Sequence, residues 1–235
     1  MFWKKFWRWR KRALKIRREK WYNVKMVITY YGLSCFKVQS GDLTIVFDPP
    51  SKDSELKPPR FEVHAALSSH AHPKHNGAKE LPGKKEGGPF VISGPGEYEM
   101  DGLAIDGIPS FHDGAGGKKL GRNTIYKVKM EEITLCHLGD FGEAELRPET
   151  LEAIGEVDVL FLPVGGKDVL DAEGAAKVLN QIEPKIAIPM HFSKPGEFLE
   201  ELGEKTLQAE EKFTFKKKEL GAEGTKVVLL KPINA

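Results

Sequence analysis

Six of the seven histidines in this chain share one kind of address: each follows an apolar, strand-like run. His70, His72 and His75 come after "VHAALSS", His112 after "LAIDGIPSF", His137 after "ITLC" and His191 after "KIAIPM", while His64 sits inside its strand. A fold that accommodates this pattern must bring the ends of distant strands to one edge. Layered α/β folds do so, because functional groups from far-apart segments collect where strands end. One such histidine is an ordinary structural residue. Six, with Asp140 three residues past His137, point to a metal site. Neutral imidazole suits zinc, iron and manganese, and a carboxylate can bridge two ions. The i, i+2 spacing of His70 and His72 lets both reach one ion from the same side of an extended segment. His75 then turns away, towards a second ion.

The rest of the chain reads as the required strands. "MVITYYGLSCFKVQ" and "LTIVFD" are β-branched and aromatic, with "SGD" between them, and predict a hairpin. "DPPSKDSELKPPR" is a Pro-rich loop, and "VHAALSSH" a short buried strand. "FVISGPGEYEMDGLAIDGIPSFH" alternates strands with Gly turns, and "NTIYKVKMEEITLCHLGD" is a second hairpin turning at "MEE". Helices are expected at "RPETLEAIGEV", at "DAEGAAKVLNQIEP" with Asp171 as N-cap, and at "GEFLEELGEK". The strands "DVLFLPV" and "KIAIPMHF" lie between them, and "TKVVLLKP" returns to β. Hairpins first and βα alternation afterwards predict a layered α/β protein with a mixed sheet.

Charge is distributed unevenly. Residues 1–25 hold eleven of the 36 Lys and Arg, one of the 34 acids and all four Trp. The body, 26–235, keeps 25 basic and 33 acidic residues. The segment lacks the apolar stretch and small-residue cleavage site of a signal peptide. Its aromatic and basic faces fit an anionic membrane surface, with nucleic acid as the weaker expectation and a solvated tail as the bland one. No run of about eighteen apolar residues exists. Cys35 and Cys136, far apart in apolar stretches, are expected to be buried free thiols, which favours a cytoplasmic setting.

Taken together, these motifs resemble the metallo-β-lactamase-fold hydrolases, in particular the group that includes the ascorbate-phosphate lactonase. "HAHPKH" matches HxHxDH, "VFDPP" matches an early strand ending in Asp-Pro at Asp48, and "HLGD" and "PMHF" follow in order. "GPGEYE" and "GRNTIY" look like subgroup signatures. The resemblance runs from about Met26 to Pro232 and implies an αββα four-layer sandwich with a two-metal site at one edge. It implies that His70, His72 and His137 hold one ion, His75 and His191 the other, and that Asp140 bridges them. Asp48 would orient a histidine ligand from behind, and His112, beside Asp113, would bind substrate or transfer a proton. The implied chemistry is attack by a metal-bound hydroxide on an ester, lactone or phosphodiester, with one or two ions of zinc, or manganese or iron. The substrate would be a small or lipid-linked molecule, and relatives of this kind also leave a homo-oligomer open.

Lys74 departs from the pattern, since it stands where the family places a metal-binding Asp. A lysine ammonium has no lone pair to give a metal. Lys74 is itself a catalytic candidate, as a cation for the substrate, and three consequences follow as alternatives: a one-metal site of altered activity, a two-metal site with Lys74 deprotonated or turned away, or a degenerate site on a binding protein. Retention of every other ligand speaks against degeneration. Leu33, where relatives often have His, removes a second polar group. The two Gly/Lys stretches, "LPGKKEGG" and "GGKKLGR", are expected to be solvated loops near the site's edge.

Overall fold

A computed structural model of the chain describes residues 24–204, 207–221 and 224–233. The expectations for the basic aromatic segment fall almost entirely outside these residues. Two mixed sheets pack face to face. The first is built from β1 (Lys25–Gly32), β2 (Cys35–Ser40), β3 (Leu43–Phe47), β4 (Ala65–Leu67), β5 (Phe90–Ile92) and β12 (Phe213–Lys216). Its order is β12-β1-β2-β3-β4-β5. The second contains β6 (Gly96–Met100), β7 (Leu103–Phe111), β8 (Arg122–Met130), β9 (Ile133–His137), β10 (Val159–Pro163), β11 (Ile186–Met190) and β13 (Lys226–Val227). Its order is β13-β11-β10-β9-β8-β7-β6.

Period-2 alternation determines which residues meet between the sheets. Met26, Ile28, Phe36, Ile45 and Phe47 from the first sheet pack against Ile105, Val128, Leu135, Phe161 and Ile188 from the second. β10 and β11 are buried at all five positions, as central parallel strands covered on both faces must be. Their other face is covered by α1 (Pro148–Ile154), α2 (Ala172–Ile182) and α3 (Gly196–Glu201). Those helices contribute Ile154, Ala175, Val178, Leu179, Phe198 and Leu199 to a second core with Cys136, Leu160 and Ala187. Asp171 caps α2 as expected, its side chain accepting from Gly174 N–H at 2.8 Å. The α/β sandwich is therefore present. Over the first sheet, however, the outer layer among the described residues is a 3-10 turn at Gly77–Glu80 and loop, enclosing only a small cluster around Val46, Ala66 and Ala78.

Two elements depart from the sequence reading. The first long strand breaks at Gly32 and Leu33, where both φ angles are positive (101° and 50°), so one strand becomes β1 and β2. β12, in "KFTFKKK", is a strand the composition conceals among lysines. Its Phe213 and Phe215 face the inter-sheet core while it pairs antiparallel with β1. Cys35 and Cys136 are buried and unpaired. No described helix is long and apolar enough to cross a membrane.

The topology places the site. β3, β4 and β5 run parallel, as do β9, β10 and β11. β7 reaches the same direction through two antiparallel steps, by way of β8. The residues after β3, β4, β7, β9 and β11 therefore emerge at one edge: Asp48, His70, His112, Asp140 and His191. A cavity of about 1050 Å³ opens at the opposite ends of these strands, lined by Lys129, Asp158, Lys185 and Lys217 among others, with no histidine.

Candidate metal centre

Asp140 lies at the middle of the cluster. The Nε2 atoms of His191, His75, His112 and His70 lie 3.3, 3.4, 3.6 and 3.7 Å from its Oδ2. The other carboxylate oxygen is held from the protein side by Ser34 Oγ–H at 2.7 Å. The backbone N–H of Asp140 donates to Asn123 Oδ1 at 3.1 Å, and Asn123 is in turn anchored to Leu138 O and Ser110 Oγ. Gly139 makes this turn possible. Its φ is +60°, and a Cβ there would fall 2.4 Å from Asn123 Oδ1 and 2.6 Å from Ser69 Cβ.

Behind the histidines stands a second buried carboxylate. Asp48 follows β3 with φ 44° and accepts from Ser69 N–H at 2.6 Å and Ser69 Oγ–H at 2.7 Å. That leaves the lone pair of Ser69 Oγ to accept from His70 Nδ1–H at 2.9 Å. His70 Nε2 is then the bare nitrogen, aimed at Asp140. Asp48 also lies 3.6 Å from His75 Nδ1. His75 thus sits between two carboxylates. Burial works against its cation, but Asp140 and Asp48 outweigh burial and raise its pKa. Burial and the neighbouring His75 push His70 down to about 4, so its imidazole is neutral in ordinary buffers. Burial also favours a protonated Asp140, yet His75, His191 and His70 hold its carboxyl well below the usual range.

These features fit a divalent ion. His70 Nε2 and His112 Nε2 are buried without a hydrogen-bond partner. Buried polar atoms are almost always paired, so two orphan lone pairs facing one carboxylate oxygen mark a place for a cation. The spacing agrees, since ligands about 2.1 Å from a tetrahedral ion lie roughly 3.4 Å apart. Ligand atoms of Asp48, His70, His75 and Asp140 lie within 4.8 Å of one another, as do those of His70, His72 and His75. His72 is the most exposed member, and its Nδ1 takes a 3.3 Å contact from Lys74 N–H.

The structure exchanges two of the expected positions. His137 is not at the cluster. It is fully buried, its ring stacks on Phe47 at 4.7 Å and 3°, and both nitrogens are used by the protein. Nε2–H donates to Ser34 O at 2.9 Å, and Nδ1 accepts from Gly139 N–H at 3.1 Å. The physical reason is the pleat. In "ITLCH", His137 shares the inward face with Ile133 and Leu135, both part of the inter-sheet core, and the alternation alone is a signal for that orientation. His137 instead positions Ser34, which holds Asp140. His112, expected only to bind substrate or move a proton, occupies the vacated place beside Asp140. The cluster the structure brings together around Asp140 is therefore His70, His75, His112 and His191, with His72 at the rim.

Three further residues that matter were not evident from sequence: Ser34, Ser69 and Asn123. Serine and asparagine are too common in loops to stand out, and only the fold shows what they bind. Asp113 builds rather than binds. Its carboxylate accepts from the backbone N–H groups of Ala115, Gly117, Lys119 and Leu120 at 2.7–3.0 Å, fixing the Gly-rich loop that leaves the site after His112. Those bonds, led by Leu120, bring its pKa to about 2. Lys74 is half-buried, and its ammonium makes no ion pair or hydrogen bond among the described residues. Leu33 contributes through its backbone, since its carbonyl accepts from His191 N–H at 2.9 Å. That bond secures a histidine whose φ is 55°.

Comparison with known proteins agrees with this architecture. The family described as Beta-lactamase superfamily domain matches residues 27–191. A UPF0173 metal-dependent hydrolase of Pyrococcus furiosus is 28% identical over 212 residues, covering 76% of this chain and 92% of the relative. A candidate Zn-dependent hydrolase of the metallo-beta-lactamase superfamily from Thermotoga maritima superposes with a TM-score of 0.67 at 27% identity, over 88% of this chain and 100% of that one. A metallo hydrolase of Ignicoccus hospitalis, 23% identical, shares the fold with a TM-score of 0.60 over 82% of this chain and 99% of that one. The family match spans both sheets and all but the last strands, and the chain belongs to the beta-lactamase superfamily.

Proposed function

We propose that this protein is a metal-dependent hydrolase acting on an ester, lactone or phosphodiester, with zinc as the expected ion and manganese or iron as alternatives. The observation that carries this reading is the ring of four Nε2 atoms around Asp140 Oδ2, two of them buried and otherwise unpartnered. A divalent ion bound there supplies acidified water and positive charge for a developing anion. The protein's own part is to hold the ligands still. Ser69 sets the tautomer of His70, Asp48 backs His75, and Ser34 pins one oxygen of Asp140 so that the other faces the histidines. His70, His72 and His112 would form one side of the centre and His75 and His191 the other, with Asp140 shared.

The relatives' names and the Thermotoga maritima structure support the same reaction class. A second reading has one observation in its favour: Lys74 stands among the ligands, as it would in a metal- or ligand-binding protein that has lost catalysis. Elemental analysis after dialysis against zinc and manganese, with hydrolysis of 4-nitrophenyl acetate and bis(4-nitrophenyl) phosphate, separates the two. Metal in the wild type, and turnover that disappears with metal in Asp140→Asn, is the expected result. Metal without turnover favours the binding protein, and a metal-free wild type defeats the hydrolase. We place the protein in the cytoplasm, with residues 1–25 at an anionic membrane surface. Equal flotation on anionic liposomes with and without that segment would defeat the membrane assignment.

A further inference from the structure

Three of the loops at the edge of the site carry lysines that no carboxylate of the described residues pairs. Three loops supply its histidines: 68–76, 112–121 and 191–195. They bear Lys74, Lys118, Lys119 and Lys194, and none of these makes a side-chain ion pair or hydrogen bond among the described residues. Elsewhere lysines do find partners, as Lys85 does on Asp101, Lys177 on Glu173, and Lys185 and Lys217 on Asp158. The one carboxylate on the three loops is Asp113, and both its oxygens are occupied by backbone N–H groups. The loop after β9 adds Glu143 and Glu145, and the loop after β10 adds Lys167, Asp168 and Asp171.

Lys74 differs from the other three. It is half-buried where they are exposed, and it stands between two residues of the cluster. Its backbone is fixed: His75 N–H donates to His72 O at 2.8 Å, Ser51 N–H to Pro73 O at 2.8 Å, and Gly77 N–H to Pro49 O at 2.8 Å. Gly77 is pressed so closely on the Pro49-Pro50 segment that a Cβ would fall 2.3 Å from Pro50 O. These bonds hold the turn, and Lys74 with it, beside His72 and His75. A lysine on a fixed turn between two residues of the cluster, whose ammonium has no protein partner among the described residues, is available to an anionic ligand.

We propose that Lys74 binds an oxyanion on the substrate, of the phosphate class, beside the bond that is cleaved, and so selects anionic over neutral substrates. This rests on the hydrolase reading and names its substrate class. The ammonium stands where the superfamily pattern has a carboxylate, so the site exchanges a group that repels anions for one that attracts them. Lys118, Lys119 and Lys194 extend the same field outward and speed the approach of an anion.

The test is inorganic phosphate binding to the zinc-loaded chain by calorimetry, at zinc contents matched by elemental analysis. Lys74→Gln is expected to weaken phosphate at least about tenfold, the range for a lost charge-assisted hydrogen bond. Lys74→Arg is expected to restore it to within about threefold, and Lys79→Gln, outside the site, to leave it unchanged. Equal phosphate affinity in wild type and Lys74→Gln, or none in the loaded wild type, overturns the proposal while the hydrolase reading stands. A wild type that takes up neither zinc, manganese nor iron defeats the hydrolase reading itself. Competition by glycerol 3-phosphate against a short-chain phosphatidic acid then tells a soluble phosphate ester from a lipid headgroup, either of which agrees with the proposal.

Discussion

Replacing Ser69 by alanine removes one oxygen that connects two functional groups. Ser69 Oγ donates to Asp48 Oδ2 at 2.7 Å and accepts from His70 Nδ1–H at 2.9 Å. The first bond goes to a buried carboxylate and contributes about 1.5–3 kcal/mol, the second about 0.5–1.5 kcal/mol. The metal-free chain should therefore lose about 2–4 kcal/mol of stability, while Ser69 N–H keeps its 2.6 Å bond to Asp48. The functional loss is separate. Without Oγ nothing selects the His70 tautomer that bares Nε2, and losing such a supporting partner costs a metal site about 10–100-fold in affinity. Thermal unfolding of the metal-free protein reads the first effect, and zinc competition against a chromophoric chelator the second. Ser40→Ala, which loses only a 2.9 Å bond to Glu131, is the control and should leave zinc affinity unchanged. Zinc affinity within threefold of wild type in Ser69→Ala would show that Ser69 does not orient His70.

The exchange of His112 and His137 gives opposite expectations. His112→Ala should lower zinc affinity at least tenfold with little change in metal-free stability. His137→Phe should cost about 2–4 kcal/mol through two lost buried hydrogen bonds yet keep the zinc content of the folded fraction; elemental analysis and denaturant melts read both. Asp158, 7% exposed, receives Lys185 at 2.8 Å, Lys217 at 2.6 Å and Thr134 N–H at 2.9 Å. Burial opposes its charge, but these partners win and lower its folded pKa. The unfolded chain then binds more protons, so this stability is present above about pH 4 and is lost as pH falls through the lowered value. Asp158→Asn should flatten the acid limb of stability against pH in urea melts. Asp113→Ala should speed amide exchange at Ala115, Gly117, Lys119 and Leu120 at least about tenfold while β8 exchange stays as slow as in wild type.

Most of the strands were legible because apolar periodicity of two is a local property, and Asp171 could be named as a cap for the same reason. β12 was not. Its two inward phenylalanines are flanked by lysines, and its partner β1 lies far away in sequence. The split at Leu33 was also hidden, because a left-handed backbone at leucine is imposed by neighbours, with Leu33 O accepting from both Tyr30 Oη–H and His191 N–H.

By itself the sequence determined the class of fold, the strand ends where the histidines gather, and the residue types that meet there. Most strands and their terminal histidines are written in local pattern, and local pattern survives without neighbours. Tertiary structure alone decided which histidine faces the centre. His112 and His137 have the same address after a strand, but His137 is the last inward residue of β9, where Phe47 and Phe161 claim its ring. His112 lies one step past the end of β7, free of the pleat, and turns to Asp140. The difference of one residue, read against the sheet behind it, separates a core histidine from one that faces Asp140.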